Sequence, residues 1–339
     1  MRTTYLFIVT TFLLASACKK ETKETIAGQP PVSVNAGDCF GNTWSAVPVY
    51  TFPFPKAVAY NNKSYFFFNL TGQDGSVAIF DGANWEVKAS DIPITTVLGS
   101  TNLTFVIGDK AYLGLIAYPQ FTHRLFEYDF ANNTWEQKAN FPGPERSSHT
   151  SFVIGNKAYI VGGISSYPYQ HYNDTWEYNQ ATDSWSQKSN YPGFLSKGGM
   201  TGFNIGSKGY VVNGVTVLGY PYADILHNNL LEYNQPTDSW STKATFPGLA
   251  RSNAISFTIS GIPYVGGGQN NDGRLVDFYK YNQGSNSWTR VADIIGTGQI
   301  YTGFSINSKG YALRYDNDQI KLFKYSPLVC FSSPTSLVN

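Results

Sequence analysis

The sequence predicts an all-β protein built from repeated four-stranded sheets, and three observations support that class. Aromatic residues make up 16% of the chain, as expected for strands that pack on both faces. The 32 glycines stand among clusters of Asn, Ser and Thr, which are the residue types of tight turns. Tryptophans recur at intervals of 41 to 55 residues, which is the length of one small sheet with its loops.

Charge and periodicity exclude several other classes. No stretch shows the long Ala-, Leu-, Glu- and Lys-rich periodicity of amphipathic helices. Charged residues are only 14% of the chain and the net charge is +1. Because neither sign predominates, the sequence predicts no binding to nucleic acid or, through charge, to an anionic membrane.

The first residues predict an export signal followed by a lipid anchor. Arg2 precedes an apolar run over residues 5–14, small residues follow at 15–17, and Cys18 comes next. The run is shorter than the roughly 20 apolar residues of a membrane span. The segment 14–18 resembles the bacterial lipobox, which implies acylation of Cys18 and attachment to the bacterial envelope, on the periplasmic or cell-surface side of the outer membrane. The alternative is an ordinary secretory signal followed by a chance cysteine.

This interpretation divides the chain into four parts. Residues 1–17 are the signal peptide, and residues 18–38 form a polar, flexible tether that starts at the lipidated cysteine. The folded domain covers residues 39–330, and residues 331–339 form a C-terminal tail.

Two aromatic series define the repeat within the folded domain. The tryptophans are Trp44, Trp85, Trp135, Trp185, Trp240 and Trp288, and the tyrosines are Tyr65, Tyr112, Tyr159, Tyr210, Tyr264 and Tyr311. In the third unit, strands a and b cover residues 150–154 and 157–161, strand c covers 175–178, and strand d starts at Ser184. Four-stranded sheets repeated in this way predict propeller blades around a channel.

The repeat resembles a known family. The pattern Tyr-Asn-x-x-Thr-x-x-Trp over 178–185 and 233–240, and the strand ending over 159–163, are similar to the kelch repeat. The resemblance covers about residues 40–328 and implies a six-bladed kelch-type β-propeller. The Gly-Gly doublet of that repeat stands only at 162–163 and 266–268.

The chain ends are predicted to complete one blade together. Trp44 belongs to a strand d without strands a to c before it, whereas the last unit has strands a to c without a tryptophan. The N-terminal strand therefore supplies strand d of blade 6, which removes two exposed sheet edges. The same topology brings Cys39 near Cys330 and predicts a disulfide, which export permits. The alternative is two unpaired buried thiols.

A ligand site is predicted where strand a begins, at one mouth of the channel. Arg146, Lys197 and Arg251 share one register on three consecutive blades. Phenol rings beside cations suit sugars, acidic sugars or acidic peptides. In kelch propellers the loops between strands b and c lie on the same face, and in this chain those loops are aromatic. The predicted ligand-binding set is Arg146, His149, Lys197, Arg251, Tyr167, Tyr169, Tyr172, Tyr220 and Tyr222. The alternative is that the arginines brace neighbouring blades and the tyrosines cover exposed backbone.

The sequence therefore predicts a monomeric envelope lipoprotein that binds a glycan or a peptide or protein ligand, with no cofactor, metal or catalytic residue assigned. A copper site like that of the galactose oxidase family is not expected, because the registers of the four histidines differ. One alternative is a metal-independent sugar-isomerising enzyme that resembles the periplasmic sialic-acid mutarotase, with Glu145 as the nearest candidate acid or base. A second alternative is a scaffold for protein–protein interaction.

Overall fold

The computed structural model of the protein describes most of the predicted domain. The described residues are 32–34, 39–49, 56–69, 75–90, 103–115, 124–165, 169–193, 198–219, 223–296, 298–316, 319–330 and 335–337. The large compact unit is Phe40–Val329, and the second unit comprises Met1–Cys39 and Cys330–Asn339. The predicted signal peptide and Cys18 lie outside the described residues.

The described residues form β-strands and two single-turn 3-10 helices, with no α-helix among them. The first strands are β1 (Val32–Val34), β2 (Cys39–Phe40), β3 (Thr43–Val47), β4 (Lys56–Tyr60), β5 (Lys63–Asn69), β6 (Gly75–Phe80), β7 (Trp85–Ala89), β8 (Leu103–Ile107), β9 (Lys110–Leu115), β10 (Arg124–Asp129), β11 (Thr134–Lys138), β12 (Thr150–Ile154), β13 (Lys157–Val161), β14 (Thr175–Asn179), β15 (Ser184–Lys188) and β16 (Thr201–Ile205). The others are β17 (Lys208–Val212), β18 (Val215–Thr216), β19 (Ile225–Leu226), β20 (Leu230–Asn234), β21 (Ser239–Lys243), β22 (Ile255–Ile259), β23 (Ile262–Gly266), β24 (Gln269–Asn270), β25 (Gly273–Arg274), β26 (Phe278–Asn282), β27 (Ser287–Val291), β28 (Gln299–Ile306), β29 (Lys309–Asp316), β30 (Gln319–Ser326), β31 (Val329–Cys330) and β32 (Thr335–Leu337).

Six four-stranded antiparallel sheets form the blades. From strand a to strand d they are β4–β7, β8–β11, β12–β15, β16-β17-β20-β21, β22-β23-β26-β27 and β28-β29-β30-β3. The six strands a contact one another in sequence, and β28 of blade 6 contacts β4 of blade 1. The blades therefore form a closed ring around a central axis, and the predicted six-bladed propeller is confirmed.

Neighbouring strands a approach closely where their side chains are small. A Cβ atom on Gly202 would lie 2.3 Å from the carbonyl oxygen of Ser151 in the preceding blade. On the other side, the Ser256 hydroxyl donates to the Gly202 carbonyl oxygen at 2.9 Å. These contacts join blades 3, 4 and 5 near the axis, where a larger residue than glycine has no room.

A repeated clamp joins blades further from the axis and explains the tryptophan series. The backbone N–H of Ala139, just after strand d of blade 2, donates to Asp183 Oδ1 at 2.9 Å, and its carbonyl accepts from Trp185 Nε1 at 2.9 Å. Asp183 also accepts the Tyr178 hydroxyl at 2.7 Å. The same clamp holds Ser189, Ala244 and Ala292 through the pairs Asp238/Trp240, Asn286/Trp288 and Asn42/Trp44.

The N-terminal strand completes blade 6 as predicted. Strand β3 pairs with β30 so that Trp44 lies opposite Tyr325, and the Trp44 ring packs 5.0 Å from that of Phe278 in blade 5. Strand β2 pairs with β31, and β1 pairs with β32. Cys39 is disulfide-bonded, and its strand pairs with the strand that carries Cys330. The Cys39–Cys330 bond remains a prediction.

Candidate functional site

One end of the ring carries the loops in which the sequence places a ligand site. Because neighbouring strands are antiparallel, strands a and c begin, and strands b and d end, at this face, which we call the mouth. The described parts of the loops between strands b and c in blades 3, 4 and 5 cover residues 162–165 and 169–174, 213–219 and 223–229, and 267–277. The turns between strands c and d lie at the opposite face.

Arg146 is buried in blade 3 and bonded within its own blade. Its Nη1 and Nη2 atoms donate to the two carboxylate oxygens of Asp174, with Nη2 at 2.8 Å from Oδ2. Nη1 also donates to the Gly162 carbonyl at 3.1 Å, and Nε donates to the Pro144 carbonyl at 3.1 Å. The Tyr172 ring covers the guanidinium at 4.1 Å. Four of the five N–H donors are thus used inside the protein.

Arg251 repeats this arrangement in blade 5. It pairs with Asp277 through Nη1 and Nη2 at 2.7 and 2.8 Å, and donates to the carbonyls of Gly267 and Leu249. Its side chain is 0% exposed. Burial by itself raises the pKa of Asp277, but the hydrogen bonds and charge of Arg251 outweigh it, so that the pKa lies below its usual value.

These contacts favour the bracing alternative for both arginines over the predicted ligand contacts. Each guanidinium joins the start of strand a to the loop between strands b and c of the same blade. We call this arginine–aspartate pair, with its backbone carbonyl acceptors, the brace. A ligand would have to displace an internal carboxylate to reach either guanidinium, which leaves a buried charge unpaired.

The other predicted site residues divide into described and undescribed ones. Lys197, Tyr167, Tyr220 and Tyr222 lie outside the described residues. Tyr172 belongs to the brace of blade 3, and Tyr169 is 49% exposed on the mouth. His149 is half-buried beside Gly163, which also contacts Arg146, and solvent does not reach its ring nitrogens. His149 therefore adjoins the brace and does not project from the mouth surface.

Blade 4 keeps the backbone of the brace but changes its side chains. Gly198 bridges Val215 as Ser147 bridges Ile164 and Ser252 bridges Gln269, so Gly198 is the counterpart of Ser147 and Ser252. The Asn213 N–H donates to the Asn229 carbonyl, as Gly162 does to Asp174 and Gly267 to Asp277. Asn213 and Asn229 thus replace a glycine and an aspartate.

Asn213 is the unusual member of this set. It has a left-handed φ of 65°, and its side chain is buried, with neither Nδ2 nor Oδ1 hydrogen-bonded in the part of the chain that the structure describes. A buried amide without partners costs about 1–3 kcal/mol of stability. At the same register in blade 5, a Cβ atom on Gly267 would lie 2.4 Å from Ile300 Cδ1 of the next blade. The residue directly before strand β22 of blade 5 is the small Ala254, so we expect more room beside Asn213 than Ile300 leaves beside Gly267.

The loops of blades 3 and 4 are bonded to each other. The N–H of Val217 donates to His171 Nε2 at 2.9 Å, and Tyr169 lies against Gly219, where an added Cβ would be 3.6 Å from its ring. Burial lowers the pKa of His171, although the carboxylate of Asp224 opposes this effect. The imidazole is therefore neutral at pH 7, which allows Nε2 to accept the hydrogen bond.

Large apolar side chains are exposed on successive loops of the mouth. They are Tyr169, Leu218, Ile225, Leu249 and Ile295. They extend from the blade 3 loop to the connection between blades 5 and 6. Exposed apolar residues on neighbouring loops are typical of binding surfaces.

The described residues contain no group of three or more His, Cys, Asp or Glu side chains suited to a metal ion. Glu145 is exposed in the loop before Arg146. Sequence reasoning missed Asp174, Asp277 and Asn213. The sequence does contain a signal for these residues. Each aspartate directly precedes strand c of its blade, and blade 4 has Asn229 at the same position.

Comparisons with known proteins agree with this architecture. Residues 145–190 match the Kelch motif. No curated protein sequence matches the chain. Among solved structures, one titled "Structure of YjhT" is similar with a TM-score of 0.63 and 14% sequence identity, over 82% of this chain and 94% of that one. At this identity the similarity shows the fold, and the chain is a six-bladed β-propeller with a Kelch motif over residues 145–190.

Proposed function

We propose that the protein is a lipid-anchored envelope protein whose propeller binds a glycan or peptide ligand at the mouth. The observation that supports binding is the run of exposed apolar side chains on the mouth loops, including Tyr169 and Leu249. A tyrosine ring presents both an apolar face and a hydroxyl, which suits a sugar ring or a peptide. The fold by itself is compatible with binding or with a scaffold role.

The entry of the chain into the ring fits a tethered binding protein. Strand β3 is strand d of blade 6, so it begins at the face opposite the mouth, beside Asn42 and the end of β30. The first strand of the propeller therefore begins away from the mouth loops.

The anchor itself rests on the sequence. No helix among the described residues is long and apolar enough to cross a bilayer. Labelling of growing cells with a fatty-acid analogue tests the proposal, since the wild-type protein should incorporate it and C18S should not. Equal labelling of both proteins would refute acylation at Cys18.

The binding function is tested on the full chain, purified in detergent, with a glycan array and a peptide library. A hit should weaken at least tenfold in the double variant L249S/I295S. The matched control is I262S, which removes an exposed isoleucine from the opposite face and should bind as wild type. Equal loss in both variants, or no hit in either library, would contradict binding at the mouth.

The same experiment separates the two alternatives. A sugar-isomerising enzyme needs an acid and a base at the mouth, but Asp174 and Asp277 are engaged by arginines there. Interconversion of anomers of any sugar hit, followed by NMR, would identify that enzyme. If the protein is a scaffold, it should bind no glycan on the array, and envelope proteins should co-purify with it.

A further inference from the structure

We propose that a second binding site lies between blades 6 and 1, where Lys309, Lys324 and the hydroxyl of Tyr311 bind a small carboxylate anion. These residues and Gly82 of blade 1 line what we call the closure cleft. In this cleft an external carboxylate takes the position that a glutamate of the chain takes in blades 2, 3 and 4. The site is separate from the mouth, because strand b, which Lys309 begins, starts at the opposite face. It does not depend on the proposed function.

Blade 3 shows the complete arrangement. Glu177 lies in strand c, directly opposite Tyr159 of strand b. Its carboxylate accepts hydrogen bonds from the Tyr159 hydroxyl at 2.6 Å and from Lys157 Nζ at 2.7 Å, and Lys188 Nζ lies 3.6 Å away. Burial by itself raises the pKa of Glu177, but the hydrogen bonds from Lys157 and Tyr159 outweigh it, so that the pKa lies below its usual value. Two ammonium groups and one phenol therefore hold one ionised carboxylate.

Blade 6 keeps two cations and the phenol but lacks the carboxylate. Lys324 lies opposite Tyr311, which is the register that Glu177 has in blade 3. Lys309 begins strand b, as Lys157 does. Alternate and directly opposed residues share one face of a sheet, so both lysines lie on the face from which Tyr311 contacts blade 1. Both are half-buried without an ion pair among the described residues, so two like charges stand where blade 3 has an ion pair.

In three other interfaces the next blade covers this tyrosine hydroxyl. Gln283, in the turn between strands c and d of blade 5, donates from Nε2 to the Tyr210 hydroxyl of blade 4 at 2.8 Å. Gln180 and Gln235 likewise interact with the tyrosines of blades 2 and 3. Each of these hydroxyls therefore has a glutamate partner within its own blade and a glutamine partner from the next blade.

The closure cleft lacks this cover as well. Blade 1 has Gly82 at the position of the glutamines, two residues after Phe80, and an added Cβ there would lie 3.6 Å from the Tyr311 hydroxyl oxygen. Within the described ranges that hydroxyl has no hydrogen-bond partner. Burial raises the pKa of Tyr311, so the hydroxyl stays protonated and can donate. Ser45 of strand d, directly opposite Lys324, is exposed, so the cleft can be reached from solvent.

The donors of the closure cleft favour a carboxylate as the ligand. Two ammonium groups and a phenol O–H are the set that surrounds Glu177 in blade 3, and charge-assisted hydrogen bonds of this kind are the strong ones. A bound carboxylate would also offset the repulsion between Lys309 and Lys324. Its place is vacated twice, by the missing glutamate of blade 6 and by the missing glutamine of blade 1.

Blade 5 provides a natural comparison. Lys280 lies opposite Tyr264 at the same register, but strand b begins with Ile262. Only one cation is therefore present on that face, and we expect no carboxylate site there.

The test is NMR titration of the ¹⁵N-labelled full chain, purified in detergent, with sodium acetate at an ionic strength held constant with sodium chloride. Saturable shifts are expected for the backbone amides of Gly82, Tyr311 and Lys324. Acetamide has the same shape without the charge and should bind at least tenfold more weakly. Sodium phosphate tests the ligand class, and it should bind more weakly than acetate.

The variant K324E restores the glutamate of blades 2 to 4. It should unfold at the same temperature as wild type or higher, and it should bind acetate at least tenfold more weakly. The matched control K280E makes the same change of charge at the same register of blade 5 and should bind as wild type. Y311F, which removes only the hydroxyl, should weaken binding severalfold.

Four results would overturn the proposal: no saturable shift in the wild-type protein, equal affinity for acetamide, tighter binding of phosphate, or equal effects of K324E and K280E. Glycan and peptide binding at the mouth should be unchanged in K324E, so failure of the closure cleft and failure of the mouth can be distinguished.

Discussion

The indole Nε1 of Trp44 donates a hydrogen bond to the carbonyl oxygen of Ala292, 3.0 Å away and 248 positions apart in the chain. Asn42 accepts from the N–H of the same alanine at 2.8 Å. This is the clamp found between consecutive blades elsewhere in the ring, here formed by the N-terminal strand. Ring closure thus uses the same contacts as every other described clamp, and it depends on two residues from the start of the folded domain.

Loss of the Trp44 hydrogen bond should therefore destabilise the whole ring. We expect W44F to lower the free energy of unfolding by about 1–3 kcal/mol, because a part-buried carbonyl loses its partner. Urea denaturation measures the change. The control is W240F, whose indole bonds the Ser189 carbonyl at an exposed position between blades 3 and 4 and should cost less. An equal effect of both substitutions would argue against a special role for closure.

The predicted disulfide should reinforce the same closure. Peptide mapping under non-reducing conditions should recover Cys39 linked to Cys330, and C39S/C330S should lose about 2–4 kcal/mol of stability. Recovery of Cys330 as a free thiol would refute the pairing.

The braces predict large losses of stability from single arginine substitutions. R251M leaves the carboxylate of Asp277 buried without its partner and should cost about 3–5 kcal/mol. The double variant R251M/D277L removes both charges and should recover most of the loss. The control is R290A, an exposed arginine paired with Asp293, which should unfold like wild type. If the R251M protein stayed folded with wild-type stability but lost ligand binding, the result would favour the sequence-based prediction that Arg251 contacts the ligand.

The bond between the loops of blades 3 and 4 should weaken in acid. The pKa of His171 is lower in the folded protein than in the unfolded chain. Its stabilising contribution is therefore complete above the unfolded pKa of about 6.5 and is lost as the pH falls through the folded value. Amide exchange at Val217, corrected for intrinsic rates, should accelerate as the pH falls below the unfolded pKa of His171. The control is Val215, whose N–H bonds the Gly198 carbonyl and should not change; parallel behaviour of both amides would contradict the prediction.

The packing between blades should show coupled effects at Asn213 and Ala254. Blade 5 has a small residue there, whereas Ile300 faces Gly267 in the next interface. We expect A254I alone to destabilise the protein and N213G/A254I to recover, with a coupling energy of about 0.5–3 kcal/mol in a double-mutant cycle. Additive effects in thermal unfolding would show that the two side chains do not share space.

The strand positions could be predicted because the repeat appears several times in one sequence. Strands β12 and β13 have the predicted bounds, and β14 extends one residue further, to Asn179. The three strands of the last unit, for which the sequence predicts residues 301–306, 310–314 and 321–325, are longer in the structure, beginning with β28 at Gln299. The regular spacing of Trp and Tyr indicates strand length and register, but it does not indicate where a hairpin stops pairing.

The role of the arginines could not be predicted in the same way. A cation in a shared register indicates a location, but its function depends on its partner. Asp174 lies 28 positions from Arg146, in a loop whose path no local pattern specifies. The sequence therefore does not specify whether each guanidinium points inward to a carboxylate or outward to a ligand.

The sequence by itself determined the class, the number of blades and the closure by the N-terminal strand, because aromatic spacing and turn residues act locally and repeat in every unit. Only the tertiary structure decided that Arg146 and Arg251 face internal carboxylates and that Asn213 and Asn229 take the positions of a glycine and an aspartate in blade 4. The physical reason is that a charge is neutralised by whatever lies within a few ångströms of it, and those neighbours come from loops distant in the chain.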